Sequence, residues 1–147
     1  MTRVLILAAG EGTRLRPLTN DKPKCLVSLC GKTLLERQVY TLQQCQIHNI
    51  HIATGYCTVQ IEALGFETSF NARFAETNMV ETLFSAMNFI KQSEAQKDDL
   101  IIAYGDIVYQ VENLEALLDC KDEIALMIDV KWDDLWRLRL DNPLDDA

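Results

Sequence analysis

No apolar run in this chain approaches the about 18 residues that a membrane span needs. The start, Met1-Thr2-Arg3, leads straight into an apolar strand pattern, without the h-region and cleavage site of a secretory leader. A cytoplasmic protein with no membrane partner is expected. Positive charge is scarce as well: 14 Lys and Arg stand against 22 Asp and Glu, for a net charge of -8. Nucleic-acid backbones select basic faces, so no nucleic-acid partner is expected. The cysteines Cys25, Cys30, Cys45, Cys57 and Cys120 are odd in number and contain no C-x-x-C pair. That argues against a disulfide framework or a zinc site and leaves buried or incidental thiols. The two histidines, His48 and His51, have no carboxylate motif beside them, and a surface or strand-edge role is expected. Internal repeats, linkers and low-complexity tracts are also missing.

What is present suits one core: 147 residues at 48% hydrophobic content predict a single domain. Strand-like periods fall at 3 to 8, 49 to 54, 67 to 71, 99 to 104 and 123 to 129. Helical periods fall at 33 to 45, 58 to 64, 79 to 92 and 112 to 119. This β-α alternation with short connections predicts the α/β class. The expected form is a Rossmann-like three-layer α/β/α sandwich around a mostly parallel sheet.

The most informative passage runs from Leu7-Ala8-Ala9 through Gly10-Glu11-Gly12-Thr13-Arg14 to Pro23-Lys24. Gly10 and Gly12 lack a Cβ, so the loop can take positive φ and bring its N–H groups close to an anion. Arg14 adds a forked permanent charge and Lys24 a mobile point charge, both suited to a polyphosphate. Pro17 and Pro23 fix φ and remove donors, so an ordered loop is expected between them. Two glycines alone would read as an ordinary turn. Leu15 stands where a dinucleotide fold has its third glycine, and Leu26 where a P-loop ending in Gly31-Lys32-Thr33 has its first. Thr33 and Glu36 instead fit a capping box.

The whole passage resembles the signature G-x-G-T-R-x-x-P-L-T-x-x-x-P-K. It is met at Gly10, Gly12, Thr13, Arg14, Pro17, Leu18, Thr19, Pro23 and Lys24. The signature belongs to nucleotidyltransferases that activate phosphorylated small molecules: the sugar-phosphate nucleotidylyltransferases and their phosphocholine cytidylyltransferase-like relatives. Gly31 to Arg37 resembles the segment that follows it and opens the next helix. Trp132 to Arg139, then Asn142 to Asp146, resembles the tryptophan-rich turn and acidic segment of the cytidylyltransferase-like branch.

The resemblance implies that the chain stops inside a longer domain, incomplete at its C-terminal side. The missing part would carry further strands, much of the acceptor pocket and a second metal-binding carboxylate. An exposed apolar sheet edge, and with it association between copies, is expected.

Ligands of open α/β sheets sit outside the carboxyl ends of the strands. The glycine loop and Gly105-Asp106 both follow strands and so fall on one edge. Alone, Asp106 reads as a turn or capping residue. The resemblance makes it a Mg²⁺ ligand, a role that suits a carboxylate beside phosphates. Thr77 and Asn78 read as helix N-caps; the resemblance places their segment beside the base and α-phosphate.

The expected activity is transfer of CMP from CTP to a small phosphorylated acceptor with release of pyrophosphate. Leu7, Ala8, Ala9, Gly10, Glu11, Gly12, Thr13, Arg14, Lys24, Thr77, Asn78, Gly105 and Asp106 would bind nucleotide. Arg14 and Lys24 would be catalytic, and Asp106 would hold the metal. Tyr109, Trp132 and Trp136 could supply rings to a cationic acceptor, or equally belong to a core. Two alternatives stand beside this: a sugar-1-phosphate nucleotidylyltransferase using another NTP, and a nucleotide-binding fragment or regulatory module without turnover.

Overall fold

The computed structural model describes residues 1–142 and 144. Strands β1 (Thr2–Ala8), β4 (Ile50–Thr54), β5 (Glu67–Phe70) and β6 (Asp99–Tyr104) form one sheet in the order β5-β4-β1-β6. Every pairing in it is parallel. A two-stranded antiparallel ribbon, β2 (Ser28–Leu29) with β3 (Lys32–Thr33), precedes the first helix.

Period-2 alternation along β1 builds two cores. Val4, Ile6 and Ala8 join Ile50 and Ile52 beneath α1 (Leu34–Gln44), α2 (Thr58–Glu62) and α5 (Val111–Asp119). Leu5 and Ala53 face α3 (Met79–Ser85) and α4 (Met87–Gln96), where Ala86 and Phe89 complete the second cluster. Helices on both faces of a parallel sheet make the expected three layers. From β1 the chain steps outward through β4 to β5, then returns to add β6 on the other side of β1. The strand order therefore reverses at the β1–β6 pair, and its carboxyl ends border the crevice where such folds bind ligands.

The capping box forms: Thr33 Oγ1 accepts from the Glu36 N–H at 3.1 Å, and Glu36 accepts from the Thr33 N–H at 2.6 Å. The bond from the Thr33 N–H is the main cause that holds the Glu36 carboxyl below its ordinary value. The helix expected at 79 to 92 is broken at Ala86 into α3 and α4. Just ahead of the break, the Thr82 and Ser85 hydroxyls donate back to the Asn78 and Thr82 carbonyls, and such back-bonding bends helices.

Residues 123 to 129 are not a strand. They pair with nothing in the sheet, although β6 is its edge strand, and Ile124, Leu126 and Ile128 are exposed. Beyond them lies α6 (Trp132–Trp136), whose two indoles pack edge to face at 6.2 Å. Asp145 and Asp146 of the acidic end lie outside the described residues.

His51 also departs from expectation. It is 8% exposed on the interior strand β4, stacked on Phe89 at 4.6 Å, with Nε2 2.8 Å from Ser69 Oγ. The period-2 pattern around it points its side chain at the α3–α4 layer, where a flat ring packs well. His48 is exposed. No helix among the described residues is long and apolar enough to cross a membrane.

Candidate active site

Where β1 and β6 end, the Gly105 N–H donates to the Leu7 carbonyl at 2.9 Å. A Cβ at position 105 would lie 2.9 Å from Ala8 Cβ and 3.1 Å from Leu7 O, so only glycine lets the two strand exits touch. That contact delivers Asp106 to the mouth of the glycine loop. The loop is closed on its other side by Thr19, fully buried, whose hydroxyl donates to the Gly12 carbonyl at 2.8 Å.

Gly12 takes a φ of 64°, and a Cβ there would press on Lys24 Cβ at 3.1 Å. Gly10 is different. It is not among the glycines with positive φ, and an added Cβ would meet nothing. The left-handed conformation expected of the loop thus falls on Gly12 alone.

Lys24 opens a short 3-10 turn, Lys24–Leu26, anchored by the buried Cys25. Its Nζ lies 2.5 Å from Asp106 Oδ2, with both side chains about a third exposed (36% and 37%). An ammonium and a carboxylate thus meet across the crevice, each within reach of an incoming phosphate or cation. Burial pushes the Cys25 thiol up to about 12, opposed by a backbone hydrogen bond and helped by the Asp106 charge. The thiol is neutral at physiological pH and offers no thiolate nucleophile.

Between these elements and the loop leading into α3 lies a cleft of about 370 Å³, a size that suits a small ligand. Leu7, Ala8, Ala9, Gly10, Gly12, Thr13, Arg14, Lys24, Thr77, Asn78, Gly105 and Asp106 all line it. Glu11 does not; it turns outward to Arg16 at 3.1 Å.

Tyr109, Trp132 and Trp136 are not among its walls either. Tyr109 packs against the α1–α5 core, where burial pushes its phenol up to about 12. The rings that do line the cleft are Phe74 and Tyr104, joined by Leu15, Cys25, Met79 and Thr82. Tyr104 could have been found as the last residue of a strand whose exit carries Asp106. Phe74 sits in a loop without a local signal.

Asn78 caps α3, accepting from the Val80 and Glu81 N–H groups. Among the described residues no three His, Cys, Asp or Glu side chains cluster to hold a metal. Among the described residues, Asp106 is the one carboxylate lining the cleft. A single carboxylate on the cleft wall is compatible with Mg²⁺, which is commonly held by one or two carboxylates together with substrate phosphates.

Strand order and crevice define a doubly wound α/β protein with a cleft lined by the glycine loop, Arg14, Lys24 and Asp106 at its switch point. More narrowly, the chain belongs to the MobA-like NTP transferase domain family, whose pattern matches residues 4–134. It is 38% identical to the CTP:phosphoglutamine cytidylyltransferase of Campylobacter jejuni, over 97% of this chain and 58% of the relative. It is 40% identical to the choline-phosphate cytidylyltransferase of Streptococcus pneumoniae, over 56% of this chain and 38% of the relative.

Among solved structures, the CTP:phosphocholine cytidylyltransferase of Streptococcus pneumoniae superposes with a TM-score of 0.62 at 30% identity. That match covers 76% of this chain and 50% of the other. A solved chain from Bacillus anthracis, 22% identical with a TM-score of 0.63, supports the fold alone. The chain spans about half the length of these relatives, between 38% and 58% of each.

Proposed function

We propose that this chain is the nucleotide-binding portion of a CTP-dependent cytidylyltransferase that transfers CMP to a small phosphorylated acceptor. The observation that carries the reading is the Lys24–Asp106 pair facing the glycine loop and Arg14 across one cleft. Relatives named for phosphoglutamine and choline phosphate favour an acceptor of that kind and CTP as donor.

An acceptor phosphate oxygen would attack the α-phosphorus of CTP. The new P–O bond forms as the α–β bridging bond breaks, and its electrons leave on pyrophosphate. Such transfer asks mainly for positioning and charge stabilisation. The glycine-loop N–H groups would hold the triphosphate, and Arg14 would neutralise charge growing on the leaving group. Lys24 would draw the acceptor phosphate and the α-phosphate together. Asp106 would carry Mg²⁺, which when bound neutralises phosphate charge. All five cysteines are unbridged, which fits a reducing cytoplasm.

Pyrophosphate release from CTP, measured with phosphocholine-type and phosphorylated amino-acid acceptors, tests the assignment. In the intact enzyme, Lys24→Ala or Arg14→Ala should each abolish release while the fold, followed by circular dichroism, survives. Near-normal turnover in either variant would refute the roles given them. Release with UTP, GTP or dTTP and a sugar 1-phosphate would favour the sugar-nucleotide reading. Since Asp106 is the one carboxylate lining the cleft among the described residues, binding without turnover is the second reading; nucleotide affinity with no release on any acceptor would establish it.

A further inference from the structure

Gln38 stands on α1 and is not among the walls of the cleft, yet its amide is given over to one of the strand exits that form it. It is 1% exposed, and its amide nitrogen donates to the Tyr104 carbonyl at 2.6 Å and to the Ile107 carbonyl at 2.9 Å. A carbonyl can only accept, so the nitrogen must face this pair and the amide's orientation is fixed. Both protons thus go to the two carbonyls that bracket Gly105-Asp106. The buried Oε1 makes no hydrogen bond among the described residues.

The other ties on this segment are weaker or belong to the ligand's own space. The β1–β6 ladder ends at Leu7 and Tyr104, closed by the Gly105 N–H bond to the Leu7 carbonyl. Further on, the Thr41 hydroxyl donates to the Arg37 carbonyl at 3.1 Å and reaches the Tyr109 carbonyl only at 3.4 Å. Ile107 and Val108 are exposed and add little packing. Lys24 meets the Asp106 carboxylate, but it is a mobile charge inside the cleft, which an arriving phosphate would draw away. Gln38 is buried, bonds the backbone twice and stands clear of the ligand.

We infer that Gln38 is a positioning residue for Asp106, its amide fixing the 104–107 turn so that the carboxylate is aimed into the cleft before nucleotide and a divalent cation arrive. A carboxylate on a loose turn would have to be ordered during binding, and that ordering would weaken the contact. The inference rests on the reading of Asp106 as the carboxylate that carries Mg²⁺ beside CTP. Loss of the amide should then weaken the metal-dependent part of nucleotide binding and spare the part supplied by the glycine loop and Arg14.

Calorimetric titration of the chain with CTP, once in Mg²⁺ and once in EDTA, reads that part as the ratio of two affinities. In the unmodified protein Mg²⁺ should tighten CTP about tenfold, the worth of one charge-assisted contact. Asp106→Asn should bring the ratio near one. Gln38→Met keeps the length and loses both donors, and it should also bring the ratio near one with the affinity in EDTA unchanged. Phe89→Leu, which loosens the opposite face of the sheet, should lower stability and keep the ratio. Hydrogen exchange supplies a readout that needs no ligand: in Gln38→Met, residues 104 to 109 should exchange faster while β4 keeps its protection.

Retention of the ratio in Gln38→Met, when Asp106→Asn has lost it, overturns the inference alone. So does exchange that rises equally in β4 and in residues 104 to 109. If Gln38→Met does not fold, Gln38→Asn, one methylene too short to reach both carbonyls, decides by the same two readouts. A ratio near one in the unmodified chain, or one retained in Asp106→Asn, overturns the metal reading of Asp106 and the inference with it.

Discussion

Residues 3 to 8 and 123 to 129 carry almost the same message in sequence: short apolar runs with strand-like patterning, the first rich in Val, Leu and Ile, the second reading Ile-Ala-Leu-Met-Ile. Their fates are opposite. In β1, Val4, Leu5 and Ile6 are fully buried, whereas Ile124 is 84% exposed and Leu126 82%. Strand β1 has a parallel partner on each side, Val4 facing Ile50 and Ile101, and helices over both faces. The later segment has no ladder partner among the described residues. A helix closes its backbone hydrogen bonds within itself, but a strand closes them only with a neighbour. An apolar run therefore states a readiness to join a sheet and leaves membership to the rest of the chain.

The most direct attempt to break this contrast truncates one side chain in each run. Ile6→Ala should cost about 2–5 kcal/mol, the transfer and cavity terms of a fully buried aliphatic. Leu126→Ala should stay within about 0.5 kcal/mol, as exposed positions do. Chemical denaturation of the two variants decides. Comparable losses would mean that residues 123 to 129 are packed in solution and that the contrast is false.

What could be read from sequence follows the same division. The paired strands and their helices were legible because a local period met a real partner. The Thr33–Glu36 capping box and the glycine loop were legible because their bonds close within a few residues. The burial of His51 and the entry of Phe74 into the cleft were not, since each depends on segments distant in sequence, and the break at Ala86 comes from hydroxyl back-bonding that leaves no mark on the apolar period. Asn71 shows the limit most clearly. In sequence it is one more polar residue at a strand end; in the structure its amide joins β4, the turn at Arg73 and α3.

Gly55 sharpens the contrast from the ordered side, where several segments constrain one atom's space. It follows β4, and a Cβ there would lie 2.5 Å from Phe74 Cβ and 2.6 Å from the Ala9 carbonyl. Those neighbours are backbone and the root of a side chain, with little room to yield. Gly55→Ala should cost about 1–3 kcal/mol, in the range of overpacked cores. Because Ala9 and Phe74 both line the cleft, nucleotide affinity should fall with it. Unchanged stability and affinity would mean that the Ala9 and Phe74 contacts are looser than the structure has them. Gly10→Ala, with nothing within 4 Å of its Cβ, is the matched control for packing.

The smallest effect concerns a polar side chain drawn into the ordered half. His51 is stacked on Phe89, and its Nδ1 makes no hydrogen bond among the described residues although Glu67 lies 3.9 Å away. Burial lowers its pKa from the ordinary 6.5, with Glu67 opposing only in part. The folded protein thus holds the ring neutral at pH values where the unfolded chain already binds a proton. Below about pH 6.5 the unfolded state takes up the extra proton, so stability must fall as the medium is acidified. The loss begins near the unfolded value and ends once pH has dropped through the lower folded value, where both states are charged. Denaturation midpoints between pH 7 and 5 should therefore decline in the unmodified protein and decline less in His51→Gln. Equal slopes would place the proton uptake elsewhere and leave His51 a packed ring with no part in acid sensitivity.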